Sequence, residues 1–154
     1  MNILFICTGN MTRSPLAEAV LKKKLKDAGL EDIHVSSAGT LASDNNHRDA
    51  TMIKVAKDHG YTIDGPTRKV DYSTGTESDL IFCMEPYHAD YMKGLLGAFY
   101  HTRIHLLMQW ALNSHGVIYD PTCKSLDCYQ DTLGIIETVC DAMVLRIKDM
   151  TSNS

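Results

Sequence analysis

No apolar run in this 154-residue chain approaches the roughly 20 residues that a membrane helix needs. No basic lead-in precedes the short apolar start Met1-Asn2-Ile3-Leu4-Phe5-Ile6, so a secretory signal peptide is not expected. Positive charge is in short supply. Fifteen Lys and Arg stand against nineteen Asp and Glu, a formal net charge of −4. That balance gives no general attraction to nucleic acid or to an anionic membrane, and neither is expected as a partner; any anion site has to be local. The five cysteines, Cys7, Cys83, Cys123, Cys128 and Cys140, include no C-x-x-C pair, which argues against a metal site. A cytoplasmic protein with mostly reduced thiols is expected, with Cys123 and Cys128 in ordinary loop and helix positions. Repeats, low-complexity tracts and linkers are also lacking, so one domain spanning residues 1–154 is expected, long enough to bury a core without staples. Seven tyrosines and eight methionines form no clear partner patch.

What is present is an alternation of short apolar runs and helical periodicities. Residues 2–7 contain Ile and Phe and stop at Thr8-Gly9-Asn10, which reads as a buried strand. Ser14-Pro15 then opens a helix, with Ser as N-cap and Pro in the first turn. Ala17, Val20, Leu21, Leu25 and Ala28 recur at helical spacing before Gly29. A second strand is expected over 33–37, a helix over 47–59, a third strand over 79–84 and a helix after Pro86 over about 88–96. A last strand is expected over 103–107, and a closing helix runs from 125 or 128 to 150. The order implies an α/β fold of three layers, a four-stranded parallel sheet with helices on both faces. Ligands in such sheets sit at the carboxyl ends of strands near a topological switch point. Strand one ends at Cys7.

The segment Cys7-Thr8-Gly9-Asn10-Met11-Thr12-Arg13-Ser14-Pro15 carries the chemistry. A strand turning through a short loop into a helix gathers unpaired amides and positive dipole at one point. Gly9 is expected to supply the unusual backbone angles that turn successive amides inward as an anion nest. Arg13 adds a planar fork suited to two phosphate oxygens. That field would favour a thiolate at Cys7, and a thiolate beneath a bound phosphate makes sense as a nucleophile. With five cysteines and five arginines, a Cys-x5-Arg spacing alone could arise by chance. The reading rests on the whole nine-residue string at a strand-to-helix junction.

Ile6, Cys7, Gly9, Asn10, Arg13, Ser14 and Pro15 resemble the V/I-C-x-G-N-x-C-R-S-P loop of the low-molecular-weight protein tyrosine phosphatase family. The resemblance extends to Ser37-Ala38-Gly39-Thr40, to residues 79–84 and to Asp120-Pro121, and so covers nearly the whole chain. It implies hydrolysis of phosphotyrosine in protein substrates through a phosphocysteine on Cys7, with Arg13 as phosphate clamp. The backbone of Thr8, Gly9, Asn10, Met11, Thr12, Arg13 and Ser14 would bind the phosphate. Asp120 would be the general acid, then the base; on its own, Asp-Pro is as readily a surface turn. It also implies that Asn10 organises the loop, that Ser14 donates to the sulfur, and that Ser37 bonds Asn10. No cofactor is implied, and the protein is expected to be a monomer or weak dimer.

The pattern breaks in places. Thr12 stands where most members carry a second cysteine that protects the nucleophile by a reversible disulfide, so peroxide is expected to drive Cys7 towards sulfinic acid. By count, Gly65 replaces a histidine that steadies the loop asparagine in the eukaryotic branch, so that support is absent or replaced. Ser43-Asp44-Asn45-Asn46 lacks the aromatic residue that sandwiches a phosphotyrosine ring, and Thr122 and Cys123 replace aromatic or glycine positions; Tyr87 and Tyr119 are the candidates to compensate. Three alternatives stay open. A protein-arginine phosphatase is a related branch, with a small Thr where this chain has Met11. An arsenate reductase would need Cys123 and Cys128 as a relay. A phosphate- or nucleotide-binding module would have no use for the cysteine.

Overall fold

The computed structural model describes residues 1–153. Four strands, β1 (Asn2–Cys7), β2 (His34–Gly39), β3 (Leu80–Cys83) and β4 (Ile104–Leu106), form one sheet in the order β2-β1-β3-β4. All pairings are parallel, as the alternation of elements demands. β1 is central. The chain goes to β2 on one side of it and then crosses to β3 on the other, so the carboxyl end of β1 lies at the switch point.

Side chains alternate across the pleat of β1. Ile3, Phe5 and Cys7 join the larger core beneath α1 (Arg13–Asp27), α2 (Ala50–Asp58) and α6 (Leu126–Ser152). Leu4 and Ile6 join a second core with α4 (Pro86–Leu96). Both faces are thus covered, which is why β1 and β3 read as continuous apolar runs. The closing helix packs its Leu133, Ile136, Val139, Met143 and Ile147 against α1 and the sheet. Among the described residues no helix is long and apolar enough to cross a membrane.

Several boundaries move. β2 runs two residues past the expected end, to Gly39. The expected helix over 47–59 begins at Ala50, because the Asp49 carboxylate accepts the Met52 amide at 2.9 Å and caps it. Two α-helices, and the 3-10 helix Ala98–Arg103 that leads into β4, have no counterpart in the sequence reading. α3 (Tyr72–Thr76) is a single turn capped by Asp71, too short to carry a period. α5 (Leu107–Leu112) begins directly where β4 stops, inside the apolar run Leu106-Leu107-Met108 with no turn residue to mark the change, and ends at Asn113 in a left-handed conformation.

Candidate active site

The loop between β1 and α1 is clamped from outside through its carbonyls. Thr40 and Leu41 amides donate to the carbonyls of Cys7 and Thr8, each at 2.9 Å, and the Asp49 amide donates to Met11 at 3.0 Å. The amides of Gly9, Asn10, Met11 and Thr12 have no protein acceptor among the described residues. Oriented carbonyls outward and free amides inward make a cradle for an anion. Gly39 at the end of β2 makes the close packing possible. A Cβ there would lie 2.4 Å from the Thr8 carbonyl oxygen and 2.8 Å from the Asn10 amide nitrogen.

The structure corrects the expected role of Gly9. The left-handed residue of the loop is Asn10, at φ 55°. Gly9 is not in that region, and a Cβ on it would meet only the Met11 side chain, at 3.7 Å. Asn is among the few side-chain-bearing types that tolerate this conformation, and here the fully buried side chain is tied down. Its Nδ2 donates to Ser14 Oγ at 2.9 Å and to Ser37 Oγ at 3.0 Å, and its Oδ1 accepts the Arg68 amide at 2.9 Å. The loop asparagine is therefore supported without a histidine, with Gly65 nearby serving only as a turn at φ 73°. Arg68 Nε also donates to the Ser37 carbonyl, at 2.8 Å.

Ser14 is not the helix N-cap. Thr12 occupies that position, Ser14 lies in the first turn, and its hydroxyl oxygen is 2.9 Å from Cys7 Sγ. That oxygen accepts from Asn10, and its one proton faces the sulfur at 2.9 Å and the Ala38 carbonyl at the longer 3.5 Å, so the sulfur is the nearer acceptor. Pro15 sits in the first turn, where its missing amide costs nothing.

Arg13 is almost wholly buried. Its Nη1 donates to Glu85 Oε2 at 2.9 Å and to the Ile118 carbonyl at 2.7 Å. Burial works against its charge, but the Glu85 carboxylate and the Cys7 sulfur outweigh it and hold the guanidinium above its ordinary range. The fork is thereby aimed before any anion arrives, with Nη2 3.5 Å from Thr8 Oγ1.

Thr8 is held in turn by the start of α4. Its hydroxyl meets the Tyr87 hydroxyl and lies 2.9 Å from His88 Nε2. His88 Nδ1 accepts the Glu85 amide at 3.1 Å, so the proton of the neutral ring is on Nε2 and is donated to Thr8. Burial, and secondarily the charge of Arg13, push this imidazole down to about 4.

Asp120 reaches the same place from the loop before α6. Cys7, Thr8, Gly9, Met11, Thr12, Arg13, Asp120 and Thr122 line one cleft of about 190 Å³. Every residue expected to act in the chemistry, or to bind phosphate at its mouth, is brought together there or, like Asn10, Ser14 and Ser37, packed directly behind it. Asp120 Oδ1 accepts the Thr122 amide at 3.0 Å and the Thr122 hydroxyl at 2.6 Å. Such a local turn is what Asp before Pro commonly makes. It occurs here facing Cys7 and Arg13.

Glu85, His88 and Thr122 have no expected role among these contacts, and Tyr87, expected only as an aromatic wall, instead bonds Thr8. Glu85-Pro86 follows β3 on the ligand-bearing edge of the sheet, and that position is the signal that could have found Glu85, Tyr87 and His88. The segment from Ser43 to Asn46 is a polar turn, with Asp44 Oδ1 accepting the Lys69 amide and Asn45 at φ 64°. Of the two tyrosines expected to compensate, Tyr87 is exposed and reaches the loop through its hydroxyl on Thr8, while Tyr119 is exposed and precedes Asp120 in the chain.

The comparisons with known proteins agree with this geometry. The profile of low molecular weight phosphotyrosine protein phosphatases matches residues 2–153. The chain is 31% identical over 147 residues to the low molecular weight protein-tyrosine-phosphatase Etp of Escherichia coli K12, covering 95% of this chain and 94% of that protein. It is 28% identical over 148 residues to a protein-arginine-phosphatase of Bacillus subtilis, covering 96% and 97%. A solved YwlE arginine phosphatase mutant with a phosphorylated active-site serine superposes with a TM-score of 0.92 at 27% identity, over 96% of each chain. A profile match over residues 2–153, a relative above 30% identity and a superposition at a TM-score of 0.92 lead to one conclusion: the chain belongs to the low molecular weight phosphotyrosine protein phosphatase family and is a phosphoric monoester hydrolase.

Proposed function

We propose that this protein hydrolyses phosphotyrosine in phosphorylated protein substrates in two steps, with Cys7 as nucleophile, Arg13 as clamp and Asp120 as acid then base. In the first step the Cys7 thiolate attacks phosphorus, the bond to the phenolic oxygen breaks, and Asp120 passes a proton to that oxygen. In the second, Asp120 takes a proton from a water that attacks phosphorus, the S–P bond breaks, and inorganic phosphate leaves with the thiolate restored. Charge on the equatorial oxygens is met by the free loop amides and by Arg13, donors fixed in place beforehand.

The observation that carries this reading is the position of Cys7 Sγ. It lies under unpaired amides, beside the Ser14 hydroxyl, in a cleft shared with Arg13 and Asp120. A binding module would need the amides but not the sulfur. The phosphorylated active-site serine of the YwlE mutant is in keeping with a covalent phosphoenzyme. Met11, an apolar wall of the cleft, suits an aryl ring better than a guanidinium. The reading takes the protein as cytoplasmic, monomeric or weakly dimeric, with no nucleic-acid or membrane partner.

The test is hydrolysis of para-nitrophenyl phosphate by wild type, Cys7→Ser and Asp120→Asn. Cys7→Ser is expected to lose turnover while still binding inorganic phosphate. Asp120→Asn is expected to slow formation of the phosphoenzyme, modestly with this good leaving group and by roughly 10²-fold or more with phenyl phosphate. Turnover surviving in Cys7→Ser sinks the proposal. Because a curated relative and a solved structure carry the name arginine phosphatase, rates on phosphotyrosine and phosphoarginine peptides decide between those substrates.

A further inference from the structure

The cradle and Asp120 are joined by a chain of hydroxyls whose direction is fixed by chemistry. Thr122 Oγ1 is 2.6 Å from Asp120 Oδ1 and 2.7 Å from Thr12 Oγ1. A carboxylate accepts hydrogen bonds and cannot donate them, so the single Thr122 hydroxyl proton goes to Asp120. The Thr122 oxygen must then accept from Thr12. The order is Thr12 O–H to Thr122 O–H to Asp120 Oδ1, and the Thr122 amide adds a second donor to the same oxygen at 3.0 Å. Among the described residues no hydrogen bond reaches Asp120 Oδ2.

We propose that Thr12 and Thr122 are positioning residues that orient Asp120, committing Oδ1 to the protein and leaving Oδ2 to carry the proton to and from the reacting oxygens. This rests on Asp120 being the general acid, as argued above. When Asp120 is protonated, its proton must be on Oδ2, because Oδ1 faces two donors. When it is ionised, Oδ2 is the oxygen open to the attacking water. The relay keeps the same direction in both states, so neither step has to rebuild it.

Thr12 suits this task by its place in the fold. It is 3% exposed, at the N-cap of α1, so little water competes for its hydroxyl. Asp120 belongs to an exposed loop. The amide of Thr12 belongs to the cradle and its side chain holds the acid, so one residue sets the offset between bound phosphate and proton donor. That pairing explains why a hydroxyl residue at position 12 accompanies one at position 122.

The experiment compares kcat/KM for phenyl phosphate, whose leaving group needs the proton, with para-nitrophenyl phosphate, whose leaving group needs it far less. The variants are Thr12→Val, Thr122→Val, the double variant, Thr122→Ser and Asp120→Asn. Each valine variant is expected to lose about fivefold to tenfold on phenyl phosphate, the worth of one such bond, and much less on para-nitrophenyl phosphate. The double variant should be no worse than Thr122→Val, since both cut one chain. Thr122→Ser should restore the rate. Equal losses on both substrates, additive losses, or failure of serine to rescue overturn the relay. If Asp120→Asn shows a steep leaving-group dependence and the valine variants show none, only the relay fails. If Asp120→Asn shows none, the acid assignment falls, and the relay with it.

Discussion

His88 should make this protein sensitive to mild acid, by an amount that follows from its surroundings. The ring is fully buried at the start of α4, between the Glu85 amide and the Thr8 hydroxyl, with Arg13, Glu85, Asp120 and Tyr87 facing it. A second ring proton would turn Nδ1 from acceptor to donor against the Glu85 amide. Burial and Arg13 oppose the charge, while Glu85 and Asp120 favour it without reversing the outcome, and the imidazole titrates at about 4 rather than 6.5. Below pH 6.5 the unfolded chain therefore takes up a proton that the folded chain refuses. The associated stability is fully present above 6.5 and is lost as pH falls towards 4. One pKa unit is about 1.4 kcal/mol, so the whole span is worth about 3 kcal/mol, of which about 2 kcal/mol is gone at pH 5. His88→Asn cannot titrate. Urea unfolding followed by far-ultraviolet circular dichroism at pH 7.5 and pH 5 should show wild type losing about 2 kcal/mol more than the variant across that interval. Comparing the two losses removes the contribution of every other group, including His105, which burial also pushes down. Equal losses in the two proteins would refute the reasoning.

The left-handed conformation of Asn10 should separate it from its neighbour Gly9. Asn10→Ala gives up three hydrogen bonds at a strained φ and is expected to cost about 3 kcal/mol in urea unfolding, whereas Gly9→Ala, with no positive φ and only ordinary contact with the Met11 side chain, should cost under about 1 kcal/mol; similar costs for the two would contradict the assignment. Peroxide should inactivate the enzyme in a way that thiols do not fully reverse. Thr12 offers no sulfur, and burial pushes the Cys83 thiol up to about 12 and Cys140 higher still, leaving both inert. Complete recovery with dithiothreitol after prolonged exposure would show that another thiol, such as Cys123 or Cys128, reaches Cys7.

The parts of this molecule legible in sequence are those governed by local rules. The apolar runs of β1 and β3 and the spacing in α1 and α6 gave the α/β order, because burial on both faces of a parallel sheet writes itself into the chain. Cys7, Arg13 and Ser14 were legible because they sit within eight residues on one loop. What escaped was set by contacts distant in sequence. Arg13 meets Glu85 and Ile118, 72 and 105 residues away, and Thr8 meets His88, 80 residues away. Ser14 read as an N-cap because Ser before Pro commonly is one; the sulfur and Asn10 claimed its hydroxyl instead. Gly9 was credited with a conformation that Asn10 adopts, since composition cannot say which of two adjacent residues turns the chain.

The missing side chain at Gly39 has a consequence for how the protein assembles. Cys7 pairs with Gly39 in the β1–β2 ladder. A slip of one residue would bring Ala38 or Thr40 to that spot, and a methyl group cannot occupy a site 2.4 Å from the Thr8 carbonyl oxygen. A chain zipped in the wrong register could not close the phosphate cradle at all. Strand alignment is thus checked by the backbone of the loop itself, and a copy zipped one residue out of step is expected to lack the cradle altogether.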